Sequence, residues 1–157
     1  MAPLDPSTLK SIPVSFATVS IGCSPSHTLP AKLHALSAAG FTGIELGFPD
    51  LVSFASTHLS KSVGEKDFDD LVVAAEEVKR ICDKEGLTIM LLQPFANFEG
   101  WKEGSQEKAE AWGRVEGWLR VLVATGCETL QVRLTPNFLL FFLRLKACEV
   151  TDSLVCA

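Results

Sequence analysis

The sequence lacks the patterns that mark several common classes of protein. It contains no run of about 18 apolar residues, so no membrane-spanning helix is predicted. The 14 Lys and Arg residues are scattered, and their longest run is the Lys79-Arg80 pair. Together with the net charge of −5, this scatter argues against a nucleic-acid-binding surface. The N-terminus lacks the basic start and apolar core of a signal peptide, so a cytosolic location is expected.

Short catalytic and metal-binding motifs are also missing. No G-x-S-x-G, P-loop or H-E-x-x-H pattern occurs, so serine hydrolase, nucleotide-binding and zincin functions lack support. The five cysteines form no C-x-x-C pair, and their odd number disfavours structural zinc and a disulfide framework. Cys82 and Cys127 are expected to be buried thiols, because free cysteine is among the most buried residue types.

What the chain does contain is one unit repeated three times, an apolar strand followed by a loop and an amphipathic helix. Strands are predicted near 12–20, 41–47, 87–95 and from 129, and main helices near 28–39, 67–85 and 105–125, with a short helix near 51–55. The third main helix is expected to bury Trp112, Val115, Trp118, Leu119 and Leu122. This order predicts parallel strands joined by right-handed crossovers, as in a TIM-type barrel or a doubly wound sheet.

Polar residues end two of these apolar strands. Gln93 interrupts the third strand, and Glu45 ends the second. The carboxyl ends of parallel strands are where α/β folds bind ligands, so both residues are candidates for substrate binding. Glu45 is suited to a substrate hydroxyl or a metal-bound water, and Gly43 and Gly47 are expected to leave room for a ligand. For Gln93, capping of the next loop is the competing interpretation.

Three further residues are candidates for substrate binding, each with a structural alternative. His27 precedes a helix and is suited to contact substrate or act as a general acid, or else to make a helix-entry hydrogen bond. Phe95 is suited to form a wall for a ring-shaped substrate, together with Phe98 and Trp101, or else to pack on the rim. Glu99 in the same loop is interpreted as a hydrogen-bond acceptor that fixes the loop rather than as a catalytic base. No catalytic residue and no metal ligand is assigned.

Several segments, in order and with matching spacing, resemble the opening of xylose-isomerase-like TIM barrels, the sugar-phosphate isomerase/epimerase superfamily. They are Ser26-His27-Thr28-Leu29, Lys32-Leu33, Ala38-Ala39-Gly40-Phe41, Gly43-Ile44-Glu45-Leu46 and Asp50-Leu51. Within that superfamily, Leu92-Gln93-Pro94-Phe95 with Phe98-Glu99-Gly100 resembles 3-dehydroshikimate dehydratases, notably the fungal ones. Bacterial members often have a basic residue where this chain has Ala96, a difference that bears on the substrate.

The resemblance implies a fold and an activity. The fold is the N-terminal half, about four βα units, of a (β/α)8 barrel, with parallel strands and helices on one side. The activity is a metal-dependent lyase converting 3-dehydroshikimate to protocatechuate, with divalent Mg, Mn or Co held by a Glu, Asp, His or Gln, and Glu set from strands five to eight. None of those ligands falls on matching positions, so the chain is interpreted as truncated and inactive alone. The alternatives are a sugar or hydroxy-acid isomerase or epimerase and a non-catalytic fragment.

The chain is accordingly divided into an N-terminal extension (1–11), a partial barrel (12–132) and an atypical hydrophobic tail (133–157). Gln131-Val132-Arg133 is compatible with a splice-donor-like codon sequence, so one hypothesis is that the tail is retained-intron or frame-shifted translation. The alternative is a genuine short hydrophobic helix that covers a sheet edge. The barrel's inner face is expected to expose apolar side chains, which depending on strand register include Val14, Phe16, Ile44, Ile89 and Leu91, and self-association through open barrel edges is expected to follow.

Overall fold

The computed structural model describes residues 12–22, 24–98, 101–133 and 140–144, and its elements follow the predicted βα order. The strands are β1 (Ser15–Ala17), β2 (Gly43–Gly47), β3 (Thr88–Ala96), β4 (Thr129–Arg133) and β5 (Leu140–Arg144); the helices are α1 (Leu29–Ala38), α2 (Phe48–His58), α3 (Phe68–Glu85) and α4 (Gln106–Thr125). β1 to β4 pair in parallel and in chain order. The predicted parallel half-barrel is therefore confirmed. None of the described helices is long and apolar enough to cross a membrane.

The first strand is shorter than predicted. β1 holds three residues, and a 3-10 turn at Thr18–Ser20 bends the chain away from the sheet. Thr18 is fully buried, and its Oγ1 accepts a hydrogen bond from the Gly47 backbone N–H at 3.0 Å. The turn therefore ties the end of β1 to the end of β2.

The helix after β2 is longer than the short helix predicted inside a loop. α2 starts directly after the strand and has 11 residues. Pro49 lies in its first turn, where the missing N–H costs no hydrogen bond. Phe48, Leu51 and Ala55 are buried at helical spacing, so the packing of one face stabilises the whole helix.

Helix α4 begins as predicted, with the Ser105 side chain accepting the Lys108 backbone N–H at 3.2 Å. Its buried face is rotated from the predicted one, and its buried residues are Ala111, Gly117, Trp118, Val121, Leu122 and Thr125. Trp112 is 46% exposed and stands edge-on to Phe98 with ring centroids 5.1 Å apart. The prediction that Trp112 points inward is therefore wrong, because this ring covers the loop after β3.

The prediction that the inner face exposes five apolar side chains is wrong for three of them, Ile44, Ile89 and Leu91. Ile44 and Ile89 pair in register and are 0% and 7% exposed, because they pack in the core with the helices. Leu91 is also buried. Side chains alternate along a strand, so Gly43, Glu45 and Gly47 of β2 share the opposite face. Phe16 pairs with Ile44 and is 40% exposed, and Val14 is 49% exposed, so these two members of the predicted set are exposed near the β1 edge.

The segment after β4 contains a strand at a place where a helix was the alternative. β5 pairs antiparallel with β4, with Arg133 opposite Leu140 and Thr129 opposite Arg144. An edge strand offers unpaired N–H and C=O groups, and an extended segment satisfies them where a helix does not. The helix alternative is thus wrong over Leu140–Arg144. The retained-intron or frame-shift hypothesis stays a prediction, and residues 134–139 and 145–157 lie outside the described part.

Candidate functional site

The central feature of the candidate site is a hydrogen bond between two half-buried side chains on neighbouring strands. Gln93 Nε2 donates to Glu45 Oε2 at 2.9 Å. The register of the sheet explains the contact, because Gly47 of β2 pairs with Gln93 of β3 and Glu45 lies two residues earlier. The structure therefore brings together the two polar residues that were predicted from the sequence, although both strands continue beyond them, β2 to Gly47 and β3 to Ala96.

The Glu45–Gln93 pair keeps unused hydrogen-bonding capacity. Glu45 Oε1 has no hydrogen-bond partner among the described residues. A glutamine side-chain amide has two N–H donors and an acceptor oxygen. After its bond to Glu45, Gln93 therefore retains one N–H donor and its side-chain oxygen. An acceptor and a donor side by side match a hydroxyl group, which both donates and accepts. Binding a hydroxylated ligand is therefore within the chemistry of the pair.

The glycines beside Glu45 do not leave the predicted room for a ligand. A Cβ atom at Gly43 would lie 2.9 Å from Met90 Cγ, and one at Gly47 would lie 2.2 Å from Val19 Cγ1. The space above these glycines is already taken by the two side chains. Met90 and Val19 are 48% and 43% exposed and give the Glu45 face apolar flanks.

A partly buried ion pair lies close to the ends of β1 and β2. The Lys32 side chain is 7% exposed, and its ammonium lies 2.8 Å from Asp50 Oδ1 and also donates to the Thr18 carbonyl oxygen at 3.0 Å. Since Thr18 also binds Gly47, one network joins α1, α2 and the ends of β1 and β2. Asp50 Oδ2 is buried with no partner in the described part of the chain.

Sequence reasoning missed the role of Lys32, although a signal was present. Lys32 occupies the same helical stripe as Leu29, Leu33 and Leu36, all of which are buried. A lysine in an apolar stripe must find a carboxylate or carbonyl partner when it is buried. Its position alone therefore indicates an ion pair, but it does not identify Asp50 as the partner.

His27 does not join the Glu45–Gln93 pair. It lines a cavity of about 760 Å³ between the β1–α1 loop, α1 and α2, whose described lining includes neither Glu45 nor Gln93. Its Nδ1 accepts the Ser24 backbone N–H at 3.4 Å, and its ring lies against Gly22, where a Cβ atom would be 2.0 Å from Nδ1. Local loop bonds hold the His27 ring, and no hydrogen bond joins it to the pair among the described residues, so its clustering with Glu45 and Gln93 stays a prediction.

Phe95 lies in the hydrophobic core rather than in an open wall. It is 2% exposed, and its ring stands edge-on to Trp118 with centroids 5.2 Å apart. Phe98 packs beside it at 6.0 Å. Trp101, also considered as a wall, is 42% exposed and donates from Nε1 to the Asn97 carbonyl oxygen. Glu99 lies outside the described residues, and its role in the loop stays a prediction.

The two described cysteines are buried, as predicted. Cys82 and Cys127 are 1% and 2% exposed and free. Burial raises the pKa of the Cys82 thiol to about 12, with a further contribution from Asp83. Burial also raises the pKa of Cys127. Both are structural thiols, whereas Cys23, Cys148 and Cys156 lie outside the described residues.

The described residues do not fit a divalent-metal centre. Within the described ranges, no group of three or more His, Cys, Asp or Glu side chains could hold a metal ion.

Comparisons with known proteins place the chain in a family. A family model for the xylose isomerase-like TIM barrel matches residues 33–148. A 3-dehydroshikimate dehydratase of Neurospora crassa is 30% identical over 146 residues, covering 90% of this chain and 38% of that protein. One from Pseudomonas aeruginosa is 38% identical over 86 residues, covering 55% of this chain and 10% of that protein.

A solved structure gives the same result for the fold. A xylose isomerase-like TIM barrel/4-hydroxyphenylpyruvate dioxygenase fusion protein matches 79% of this chain and 16% of its own length, with 27% identity and a TM-score of 0.54. The chain therefore spans less than two fifths of the length of each of these relatives. With four parallel strands in chain order and a family match over most of its length, the chain belongs to the xylose isomerase-like TIM barrel family.

Proposed function

We propose that this chain carries a substrate-binding part of a 3-dehydroshikimate dehydratase, the lyase that converts 3-dehydroshikimate to protocatechuate. The relatives from Neurospora crassa and Pseudomonas aeruginosa bear that name. The observation that carries the proposal is the hydrogen bond from Gln93 to Glu45, which lie three residues before the end of β3 and two before the end of β2. Ligands of parallel α/β folds bind at the carboxyl edge of the sheet.

In this proposal Glu45 accepts a hydrogen bond from a ring hydroxyl of the substrate through its free Oε1. Gln93 holds the carboxylate in place through Nε2 and offers its remaining polar atoms to the same ligand. The overall reaction removes one proton from the carbon next to the ketone and one hydroxyl group from the ring, which leave together as water. No residue of this chain is assigned as the base.

The proposal includes inactivity of the chain by itself. No group of described residues fits a metal centre, so none of them is assigned as a metal ligand. The divalent metal (Mg, Mn or Co) that the family resemblance implies is proposed to need ligands other than the described ones. We therefore expect the chain to bind 3-dehydroshikimate without turning it over. The cytosolic location stays a prediction.

Calorimetric titration with 3-dehydroshikimate tests the binding claim. Gln93→Leu removes the amide and is expected to weaken binding about tenfold, a loss typical of a hydrogen bond to a charged group. Gln106→Leu is the matched control, because Gln106 Nε2 also donates to a carboxylate, Glu110, at 2.8 Å but on the exposed surface of α4. This control is expected to bind as the unmodified chain does.

Three outcomes would contradict parts of the proposal. Equal affinity of Gln93→Leu and Gln106→Leu would remove the Glu45–Gln93 pair from the binding site. Tighter binding of an aldose such as xylose than of 3-dehydroshikimate would favour the isomerase alternative. Formation of protocatechuate by the purified chain would refute its inactivity while leaving the binding claim in place.

A further inference from the structure

The backbone pairing between β1 and β2 ends at Glu45, before β2 itself ends. Ala17, the last residue of β1, pairs with Glu45, whereas β2 continues to Gly47. On the other side of β2, the register with β3 shifts between Ile44 and Glu45. The backbone hydrogen bonds of the sheet therefore hold the Glu45 end of β2 less regularly than its start.

A side chain takes the place of the backbone acceptor that β1 no longer supplies. Gly43 donates its backbone N–H to the Val14 carbonyl oxygen at 3.2 Å. In a parallel pair, every second N–H along a strand points to the same neighbouring strand. Gly47, four residues after Gly43, donates its N–H to Thr18 Oγ1 at 3.0 Å. The Thr18 hydroxyl thus continues the attachment of β2 for two residues beyond Glu45.

Thr18 is itself held from a second direction. It is 0% exposed, and its carbonyl oxygen accepts a hydrogen bond from the Lys32 ammonium at 3.0 Å. The next residue, Val19, lies over Gly47, where a Cβ atom would be 2.2 Å from Val19 Cγ1. Two neighbouring residues of one 3-10 turn therefore lie against Gly47.

The position of Gly47 bears directly on the Glu45–Gln93 hydrogen bond. Gly47 lies two residues after Glu45, about 7 Å along the same strand. Across the sheet, Gly47 pairs with Gln93, the residue whose amide donates to the Glu45 carboxylate. A displacement of Gly47 therefore moves the carboxylate and the amide relative to each other.

We propose that Thr18 is a positioning residue for the Glu45–Gln93 pair. Its hydroxyl holds Gly47 in place, and Gly47 sets the distance between the Glu45 carboxylate and the Gln93 amide. Thr18 is assigned no contact with a ligand, because it is fully buried. Its effect on the binding of 3-dehydroshikimate rests on the proposed function, whereas its effect on the hydrogen bond does not.

Thr18→Val tests the role of the hydroxyl, because valine has a similar shape and lacks the acceptor. Thr125→Val is the matched control, since Thr125 is also buried and its Oγ1 donates to the Leu122 carbonyl oxygen at 2.7 Å, at the end of α4. Both variants lose a buried hydrogen bond between a threonine hydroxyl and the backbone, so both are expected to be less stable. Thr18→Ser keeps the hydroxyl and is expected to behave as the unmodified chain does.

Nuclear magnetic resonance of the Gln93 side-chain amide in the ligand-free chain measures the effect on the pair. Thr18→Val is expected to shift these signals, whereas Thr125→Val and Thr18→Ser leave them in place. In calorimetric titration with 3-dehydroshikimate, Thr18→Val is expected to bind about fivefold more weakly than Thr125→Val, an effect the size of one neutral hydrogen bond.

Hydrogen exchange of the unmodified chain tests the same contact without any substitution. The Gly47 backbone amide is expected to exchange as slowly as that of Gly43, whose acceptor is a backbone carbonyl oxygen. Exchange of Gly47 that is much faster than that of Gly43 would overturn the proposal, even if Thr18→Val does not fold.

The outcomes separate the positioning role from the proposed function. Gln93 signals that stay in place in Thr18→Val, or that move equally in Thr125→Val, would overturn the positioning role. Equal affinity of the two valine variants for 3-dehydroshikimate would overturn its effect on binding. If the unmodified chain does not bind 3-dehydroshikimate while the Gln93 signals move in Thr18→Val alone, the proposed function fails and the positioning role is confirmed.

Discussion

Two glycines of α4, one turn apart, form a matched pair for testing how α4 packs on α3. A Cβ atom at Gly117 would lie 2.3 Å from Cδ2 and Cε2 of Phe68, whereas one at Gly113 would have no neighbour within 4 Å. Carbon atoms in contact lie about 3.5–4.0 Å apart, so the Phe68 ring must retreat by more than ~1 Å in Gly117→Ala. Gly113→Ala requires no such movement.

The magnitudes follow from two opposing effects. Alanine in the interior of a helix is favoured over glycine by roughly 0.5–1 kcal/mol, so Gly113→Ala is expected to stabilise the chain by that amount. Gly117→Ala gains the same stabilisation from helix propensity, but it loses about 1–3 kcal/mol through overpacking against Phe68. The helix propensity cancels between the two variants, which leaves a difference of about 1–3 kcal/mol.

Urea denaturation followed by circular dichroism measures this difference as a shift in midpoint between the two variants. Gly117→Ala is expected to have the lower midpoint. If it unfolds at the same urea concentration as Gly113→Ala, or at a higher one, then Phe68 does not pack on Gly117 and the α3–α4 interface described above is incorrect.

Three other predictions concern the ion pair, the thiols and self-association. Lys32→Met removes the partner of Asp50, whose Oδ2 is buried, and is expected to lower the free energy of unfolding by about 3 kcal/mol. Lys79→Met at the exposed Lys79–Asp83 pair should cost about 1 kcal/mol or less, and equal urea midpoints of the two variants would contradict this. Burial raises the pKa of Cys82 from 9.0 to about 12, so its thiolate fraction at pH 8 falls from roughly a tenth to roughly a ten-thousandth; rapid reaction of the folded chain at Cys82 with a thiol reagent would refute the burial. The chain is expected to self-associate through its open edge, where Val14 and Phe16 are 49% and 40% exposed, and a single monomeric boundary in sedimentation velocity would refute that.

The sheet order and the main helices were predictable because the signals for them are local. The 3-4-3 spacing of α3 identified its buried face, and Gly86 and Gly126 end α3 and α4 in left-handed conformation. The alternation along β2 was equally clear, but it does not say which face the helices cover. The error over Ile44 and Ile89 has that cause.

The candidate site was predictable in part. The polar ends of β2 and β3 identified Glu45 and Gln93, because the parallel order brings neighbouring strand ends together. The position of His27 was not predictable, since it depends on the local fold of the β1–α1 loop around Gly22. The contact of Arg114 with the Ala96 carbonyl oxygen depends on where one face of α4 meets the end of β3, which sequence spacing alone does not reveal.

Nuclear magnetic resonance of the Gln93 side-chain amide tests the role of the Glu45–Gln93 pair most directly. The amide group of Gln93 donates to Glu45, so a ligand hydroxyl bound to this pair must change its environment. On addition of 3-dehydroshikimate we expect the Gln93 side-chain amide signals to shift in a saturable manner, while those of Gln106 on the surface of α4 stay in place. Saturable shifts elsewhere in the chain with the Gln93 signals unmoved would contradict the proposed site.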